Sequence, residues 1–261
     1  MKFKPLDMSK YTPFEDMGKT CLNREINDKA VVWPVIEEKI EGGFRHRRLR
    51  RSDIEEIAGL WRQSYPEIYG STHSHAWILY PEEYEVKVAL EDNWEEDCRN
   101  KEFYMPVLEE AQTGKIISSM LMAKDDMNLQ IKLLVGFIHP EYRQAASGFK
   151  IISVANEYLD KIEKASGAEY MTTFAETWHS ISQYLVRSWG WKIAGIFPGE
   201  YTRWRGENQE YRGCTVHFYK FVGDGERYAA DPEEWGLLPE IRSLWKALEE
   251  ANSSEPQIPE M

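Results

Sequence analysis

The residues with the clearest potential for chemistry lie between positions 129 and 150, in the sequence LQIKLLVGFIHPEYRQAASGFK. An apolar stretch, predicted to be a bent strand, leads into a loop, and a helix is predicted to begin at Gly148. The small residues before it allow a ligand to approach the backbone closely. Free N–H groups and the dipole at the start of a helix favour anions. The segment therefore predicts an anion site, although a plain strand–helix connection packed with small residues fits it equally well.

The elements that must position this segment follow from hydrophobic periodicity. We predict strands over 44–50, 103–111, 115–123, 129–138, 168–176, 191–199 and 213–222, and helices over 52–64, 81–99, 148–165, 179–189 and 231–250. Ser52 and Glu55 fit a capping box that opens the first helix, and Pro81 fits the first turn of the second. The strand over 129–138 is expected to bend near Gly136, and a polar loop should join the last two strands.

The two ends of the chain differ from this pattern. Residues 1–43 predict an irregular N-terminal extension, in which AVVWPVI at 30–36 forms either a short edge strand or a packing segment. Residues 223–261 predict a helix followed by a flexible tail. The stripe of Trp235, Leu238 and Trp245 on that helix is expected to dock on the core or to form a homodimer contact.

Charge restricts the classes of partner. The chain has 32 Lys and Arg against 44 Asp and Glu, a formal net charge of −12. This balance disfavours nucleic acid and anionic membrane surfaces, because both attract cations. The arginine-rich sequence RHRRLRR at 45–51 is therefore interpreted as an edge strand whose arginines pair with carboxylates. A site built from backbone N–H groups can still bind an anion.

Other functions lack their signatures. The three cysteines are far apart, which excludes a disulfide framework or a cysteine-rich zinc site. His73, His75, Glu82 and Glu83 are interpreted as loop residues, so no metal is expected. The sequence has no apolar h-region and no apolar stretch long enough to span a membrane. A cytoplasmic location is the expectation.

The order of the predicted elements resembles that of the GNAT superfamily of acyl-CoA-dependent N-acyltransferases. Three segments carry the resemblance: FRHRRLRRSDIEEIAGLW looks like the first strand and helix, PEYRQAASG like the pyrophosphate loop, and HSISQYLVRSWGW like the later short helix that ends in glycine and an aromatic residue. The resemblance covers roughly 44–222. It implies an α/β (α+β) fold with a central mixed, mostly antiparallel sheet flanked by helices.

The resemblance also implies a binding site for acetyl-CoA or another acyl-CoA as co-substrate. The implied contacts are the backbone near Phe137 and Ile138, the loop residues Arg143, Gln144, Ala145, Ala146, Ser147 and Gly148, and His179 in the slot that contacts the pantetheine arm. The sequence departs from the pattern twice. Ala146 replaces a glycine, and Val186 stands where many relatives have a tyrosine that protonates the leaving thiolate. Tyr184 is turned by about 200° around the helix and is no simple substitute.

The implied function is transfer of an acetyl or other acyl group from CoA to an amine by direct attack. Candidate acid or base residues are Glu176, His179 and Tyr201, with His139 as a further one. Each has a plainer interpretation. Glu176 fits a solvated carboxylate and His179 a residue at a helix N-terminus. Tyr201 fits a packed aromatic ring and His139 a turn residue.

The expected acceptor is a small-molecule amine, cationic because carboxylates are in excess, bound between the loop 65–80 and the strand ends near 174–178 and 197–204. Two alternatives stay open. The missing tyrosine at Val186 also fits a non-catalytic acyl-CoA-binding sensor domain. A transferase of long acyl chains, similar to an N-acyl amino acid synthase, would need a wide apolar channel.

Overall fold

The computed structural model describes residues 21–22, 29–36, 40–68, 75–143 and 145–258. Within these ranges, nine strands form one sheet: β1 (Ile40–Glu41), β2 (Phe44–Arg47), β3 (Phe103–Tyr104), β4 (Val107–Glu110), β5 (Ile116–Asp125), β6 (Gln130–Ile138), β7 (Tyr170–Glu176), β8 (Lys192–Gly206) and β9 (Gln209–Phe221). The α-helices are α1 (Ile54–Ser64), α2 (Tyr84–Lys87), α3 (Trp94–Asn100), α4 (Ala145–Ala165), α5 (Ser180–Ser188) and α6 (Pro239–Ser253).

The sheet is mixed and mostly antiparallel. Its order is β1-β2-β4-β5-β6-β7-β9-β8, with β3 paired to β5 outside this order. Only β6 and β7 pair in parallel among the named strands, and α4 makes the crossover between them. The predicted α/β (α+β) class and the predicted sheet are confirmed.

A bulge bends β6. Leu121 on β5 pairs with Val135, and its neighbour Met122 pairs with Leu133, so Leu134 is an extra residue on β6. An extra residue bends its strand and increases the local twist. The bend was expected near Gly136, but it lies earlier, at Leu134.

Helices cover both faces of the sheet. Tyr158, Leu159 and Ile162 of α4 pack in one buried cluster with Met171 and Phe218. On the other face, Ile57 and Trp61 of α1 pack with Leu121 and Phe137. Trp61 meets Phe137 edge to face, with ring centroids 4.7 Å apart. The two clusters hold β6 rigidly from both sides.

The predicted helix over 81–99 is wrong, because the chain breaks at residues 88–90. Val88 forms a bridge with Phe103, and the Leu90 N–H donates to Asp97 Oδ2 at 3.0 Å. Val88 and Leu90 are buried in the cluster around α1. Burying this apolar segment stabilises the fold more than continuing the helix through it would. Only the short helices α2 and α3 therefore form.

The predicted loop over 200–212 is wrong as well, because β8 and β9 continue through it as one long hairpin. Its turn is formed by Glu207 and Asn208, whose φ angles are 48° and 59°. Two consecutive left-handed residues make the type of turn that matches the twist of a hairpin, and asparagine is well suited to it. The hairpin carries Tyr201 and Arg203 on strand β8 instead of a loop.

Helix starts differ from the sequence pattern. Asp53 Oδ2 accepts from the Arg50 N–H at 2.8 Å, so Asp53 rather than the pair Ser52 and Glu55 caps the turn that leads into α1. The first position of α6 is Pro239, where the missing N–H costs nothing, so that helix begins later than predicted.

The segments at the N-terminal side pack against this frame. Val31 and Trp33 are buried and no strand forms over 30–36, which makes this a packing segment. Strand β2 lies between β1 and β4, so the predicted edge strand is wrong. Its arginines do pair with carboxylates: Arg47 contacts both Glu109 and Asp53.

Candidate active site

A gap opens between the parallel strands β6 and β7. Their pairing begins at Gln130 and Tyr170 and ends at Leu133 and Thr173. Thr173 Oγ1 donates to the Leu133 carbonyl at 3.1 Å, immediately before the bulge at Leu134. The bulge turns the rest of β6 away from β7, so both strands have unpaired edges that face each other.

The ladder with β5 decides which backbone groups of β6 face this gap. The His139 N–H donates to the Ile117 carbonyl of the β5 side at 2.7 Å. In an antiparallel ladder, every second residue of a strand points both its N–H and its C=O to the same adjacent strand, and the residues between them point to the opposite side. Phe137 therefore faces β5, whereas Gly136 and Ile138 face the gap. Of the two groups expected to polarise a carbonyl, only Ile138 is directed there, and Gly136 joins it.

The first turn of α4 lies at the end of β6. Gly148 is buried in that turn, where an added Cβ would lie 3.6 Å from the Arg143 carbonyl oxygen and 3.7 Å from that of Tyr142. A larger side chain would press on the loop backbone. Ala145 and Ala146 belong to the helix, as does Ser147, while Gln144 lies outside the described residues. The structure thus places the predicted anion loop at the mouth of the gap.

Two side chains contact the open edge of β6. Arg143 Nε donates to the Ile138 carbonyl at 2.8 Å, and its Nη2 donates to Ser64 Oγ at 3.1 Å. The Tyr65 hydroxyl donates to the Gly136 carbonyl. Burial raises the pKa of Tyr65 to about 12, so this phenol stays protonated. Both contacts leave the N–H groups on the same edge available for a ligand.

A buried arginine organises the polar residues beside the gap. Arg203 of β8 is 7% exposed, and its Nη1 lies 3.0 Å from Glu67 Oε1. Its Nη2 donates to Glu176 Oε1, while Trp178 Nε1 donates to Glu176 Oε2 at 3.0 Å. Both oxygens of Glu176 are therefore engaged. This geometry suits a residue that shapes the site better than a free base.

Tyr201 lies in the same cluster. The Arg203 guanidinium carbon is 5.0 Å from the centroid of the Tyr201 ring. Burial, followed by hydrogen bonding to Glu176, raises the pKa of Tyr201 above its ordinary value. Its hydroxyl therefore stays protonated at neutral pH and can donate a hydrogen bond while its oxygen accepts one.

A histidine and a carboxylate extend this polar region along β9. His217 Nε2 lies 2.7 Å from Glu200 Oε2, which also accepts from the Thr215 hydroxyl. The His217 ring stacks near Phe174 of β7 and Phe197 of β8, with centroids 5.8 Å and 4.1 Å away. A neutral histidine ring carries one N–H proton. If His217 has that proton on Nε2, where it donates to Glu200, its Nδ1 has none and can accept a proton.

Sequence analysis missed Glu67, Glu200, Arg203 and His217. Some of them could have been found from the alternation of side chains along a strand. If 200–212 is interpreted as strand, Tyr201 and Arg203 lie on the same face of β8. His217 pairs with Phe174 across the ladder and therefore shares a face with it. Glu67 follows α1 in a short turn, and nothing in its local sequence indicates a buried partner.

The remaining candidates occupy helix and turn positions. His179 caps α5, since its Nδ1 accepts from the Ser182 N–H at 3.2 Å, which leaves Nε2 as the donor in the neutral ring. His139 Nδ1 accepts from the Glu141 N–H at 3.3 Å within a turn. Val186 packs against the buried cluster around α4, and Tyr184 lines a separate cavity of about 360 Å³ beside the C-terminal tail.

Neither a metal cluster nor a membrane-spanning helix is present in the described part of the chain. No group of three or more histidine, cysteine, aspartate or glutamate residues is arranged to hold a metal ion there. His73 lies outside the described residues. No helix in the described ranges is long and apolar enough to cross a membrane.

Comparison with solved structures shows that this architecture is known. The ribosomal-protein-S5-alanine acetyltransferase from Vibrio fischeri aligns at a TM-score of 0.56 and 16% identity, over 72% of this chain and 98% of that chain. Spermidine N-acetyltransferase from Vibrio cholerae, in complex with CoA and spermine, aligns at 0.52 and 14%, over 72% and 99%. Mutant forms of the same Vibrio cholerae enzyme align at 0.53 and 16%, over 72% and 97%.

No family sequence profile and no curated protein sequence matches the chain. At such low identity the structural likeness establishes the fold alone. That fold is the one predicted from the sequence, shared with GNAT-type N-acetyltransferases.

Proposed function

We propose that this protein is an acyl-CoA-dependent N-acetyltransferase that acts on a cationic amine. The observation that carries the proposal is the gap between β6 and β7, which opens at Leu133 and Thr173 and has the first turn of α4 at its mouth. A gap of this kind exposes unpaired backbone N–H groups along one edge. An extended amide-containing arm of acyl-CoA can pair with that edge as a strand would.

The residues present fit acyl-CoA. The N–H groups of Gly136 and Ile138 face the gap and would hold the pantetheine arm and the thioester oxygen. The first-turn N–H groups of α4, around the buried Gly148, would hold the diphosphate without needing net positive charge. Arg143 adds one cation at this loop. In this proposal Ile138, Arg143 and the first-turn residues 145–148 have the binding role predicted from the sequence, and His179 would donate from Nε2.

The acceptor would bind on the face that carries Glu67, Glu176 and Glu200. One arginine, Arg203, neutralises part of this charge by pairing with Glu67 and Glu176. The surplus of carboxylates favours a substrate that arrives as an ammonium ion. The solved spermidine N-acetyltransferase with the same fold contains spermine, a polyamine, which is consistent with such an acceptor.

The acceptor nitrogen must lose a proton before it attacks. His217 would take this proton at Nδ1, with Glu200 orienting the ring through Nε2. The nitrogen forms a bond to the thioester carbonyl carbon, the carbon–sulfur bond breaks, and CoA leaves as the thiolate. Tyr65 and Tyr201 are protonated phenols beside the gap, and their raised pKa values suit them to donate hydrogen bonds to the thiolate, which then takes its proton from water. Glu176 would position Arg203 and the acceptor.

The direct test is release of the CoA thiol from acetyl-CoA in the presence of a panel of amines. We expect thermal stabilisation by CoA, thiol release with at least one cationic amine, and little release with neutral amines. Gly148→Val should abolish CoA stabilisation, while the matched variant Gly148→Ala should retain it because a Cβ fits at ordinary contact distances. CoA affinity of Gly148→Val within twofold of the parent would show the loop assignment to be wrong.

A second candidate is a non-catalytic acyl-CoA sensor, favoured by one observation. Val186 packs in the core and supplies no hydroxyl at the slot where many relatives have tyrosine. This candidate predicts stabilisation by acetyl-CoA without thiol release for any amine. Absence of stabilisation by CoA and by all acyl-CoA thioesters would contradict both candidates.

A further inference from the structure

A second cavity lies far from the gap, between the sheet and α6. Its volume is about 810 Å³, within the roughly 300–1,000 Å³ range of small-molecule sites. The sheet side is formed by the beginning of β7, the end of β9 and the beginning of β8. Tyr170 is the first residue of β7 and Glu176 the last, which places the cavity about 20 Å from the polar cluster beside the gap.

Aromatic rings form two walls of this cavity. The sheet wall contains Tyr170, Tyr219 and Phe221; the Tyr170 and Tyr219 rings stack at 5.8 Å, and the centroids of Tyr170 and Phe221 lie 5.3 Å apart. The opposite wall contains Trp235 and Trp245, whose ring centroids are 4.7 Å apart. Ring faces carry partial negative charge, so walls of this kind attract cations as well as apolar groups.

Carboxylates add to this preference. Glu226, Asp231 and Glu249 line the cavity, against the two cations Lys192 and Arg227. Lys192 lies 3.6 Å from Glu226, and Arg227 pairs outside the lining with Asp224 at 3.1 Å. Asp231 and Glu249 have no cationic partner among the ion pairs of the described residues. The lining therefore has surplus negative charge.

Two of these carboxylates act on the ring of Tyr219. Burial, then the carboxylates of Glu226 and Glu249, raises the pKa of its phenol above the ordinary value. The same carboxylates would stabilise a positive charge placed against the ring. Asp231 Oδ1 accepts from the Glu233 N–H at 2.9 Å, a contact that leaves its charge uncompensated by a cation. The aromatic walls and the surplus of carboxylate charge thus act in the same direction.

From this combination we propose that the cavity under α6 is a second ligand site, which binds an organic cation of the alkylammonium class. The apolar part of the ligand would lie between the strand rings and the tryptophan pair, and its charge would face Glu249 and Asp231. The site is separate from the acceptor site and needs no acyl-CoA. It does not rest on the proposed transferase activity.

The test is calorimetric titration of the full chain with choline and with 3,3-dimethylbutan-1-ol, the neutral isostere in which carbon replaces the charged nitrogen. Choline should bind at least about tenfold more tightly than the isostere, since the difference between the two probes is the charge. Choline has no N–H group to acylate, so its binding is measured independently of any transfer. Equal affinity of the two probes, or no binding of choline, would overturn the proposal.

Variants locate the site. Glu249→Gln removes one exposed charge and should weaken choline binding several-fold, and Trp245→Leu should weaken it further. Leu244→Ala, an exposed position of the same helix, is the matched control and should leave binding unchanged. Glu67→Gln tests the other site. Weakening by Glu67→Gln with no effect of Glu249→Gln would place the bound cation beside the gap and contradict a site under α6.

Discussion

His217 is the residue whose role in the proposed reaction is most open to a simple test. It shares Glu200 with Thr215 and lies between two phenylalanine rings, so its ring is held in one orientation. A histidine oriented by a carboxylate is a common arrangement for proton transfer. The neighbouring Glu176 has both oxygens engaged, which makes His217 the better acceptor of a proton.

We expect His217→Asn to lower kcat by about 10²- to 10⁴-fold while KM for acetyl-CoA stays unchanged. The residual activity should rise with pH, because a larger fraction of the acceptor amine is then already neutral. Thiol release measured against pH checks both expectations. His139→Asn is the control, since His139 bonds within its own turn. Equal losses in the two variants would contradict a role for His217 as base.

A second prediction at this scale concerns the buried ion pair of Arg47 and Glu109. Both side chains are almost fully buried, and Arg45 also donates to Glu109. Burial alone would raise the pKa of Glu109, but hydrogen bonds from Arg47 and Arg45 outweigh it and hold the pKa below its ordinary value of 4.5. The pair therefore stabilises the fold at neutral pH, and this contribution is lost as the pH falls through the lowered pKa.

Glu109→Gln should cost about 1.5–3 kcal/mol of unfolding free energy at pH 7, because Arg47 and Arg45 lose a charged acceptor while Arg47 keeps Asp53. The difference from the parent should shrink in acid, where Glu109 itself becomes protonated. Urea unfolding across pH measures it, with the exposed Glu250→Gln as control. A pH-independent difference between parent and Glu109→Gln would argue against this assignment of charge.

At the scale of elements, the side chain of Asn252 bonds α6 to the backbone of β8. The Asn252 amide accepts from the Ile193 N–H at 2.6 Å and donates to the Ile193 carbonyl at 3.0 Å, as a neighbouring strand would. Arg187 Nη2 also donates to the carbonyls of Ala251, Asn252 and Ser254, at the end of α6 and just beyond it. These contacts close the cavity under α6 at its C-terminal end.

Asn252→Ala should destabilise the attachment by about 1–3 kcal/mol, because it leaves the Ile193 backbone groups without these partners. Amide hydrogen exchange should accelerate in α6 while α4 stays protected and CoA affinity stays unchanged. Ser243→Ala, which removes a bond within the same helix, is the control. Faster exchange throughout the sheet would show that α6 is part of the global folding unit instead.

Elements also show what could be predicted from the sequence and what could not. The helix α4 follows periodicity closely because it buries one regular face, and the strands β5 and β6 follow from their apolar sequences. The break at Val88 depends on its bridge to Phe103, and the burial of Arg203 depends on Glu176, 27 residues away. The local sequence pattern does not indicate which distant residue becomes a partner. The ion-pair cluster of Arg203, Glu67 and Glu176 could not be predicted for this reason.

At the scale of the whole molecule, the net charge of −12 gives one further expectation. An acidic surface, with Glu67 and Glu200 near the gap, attracts a cationic acceptor, and salt screens that attraction. KM for a cationic amine should therefore rise several-fold between low salt and about 0.5 M salt. An acceptor amine that is neutral at the assay pH should show little change. The same salt dependence for both acceptors would mean that charge does not recruit the substrate.

The account depends most on one geometric claim, that acyl-CoA enters the gap between β6 and β7. A crystal structure with CoA tests it directly. We predict the pantetheine arm along the open edge of β6, paired with the N–H groups of Gly136 and Ile138, and the diphosphate on the first turn of α4 near Gly148. CoA bound elsewhere, with the edge of β6 beyond Leu133 free of ligand, would contradict this prediction.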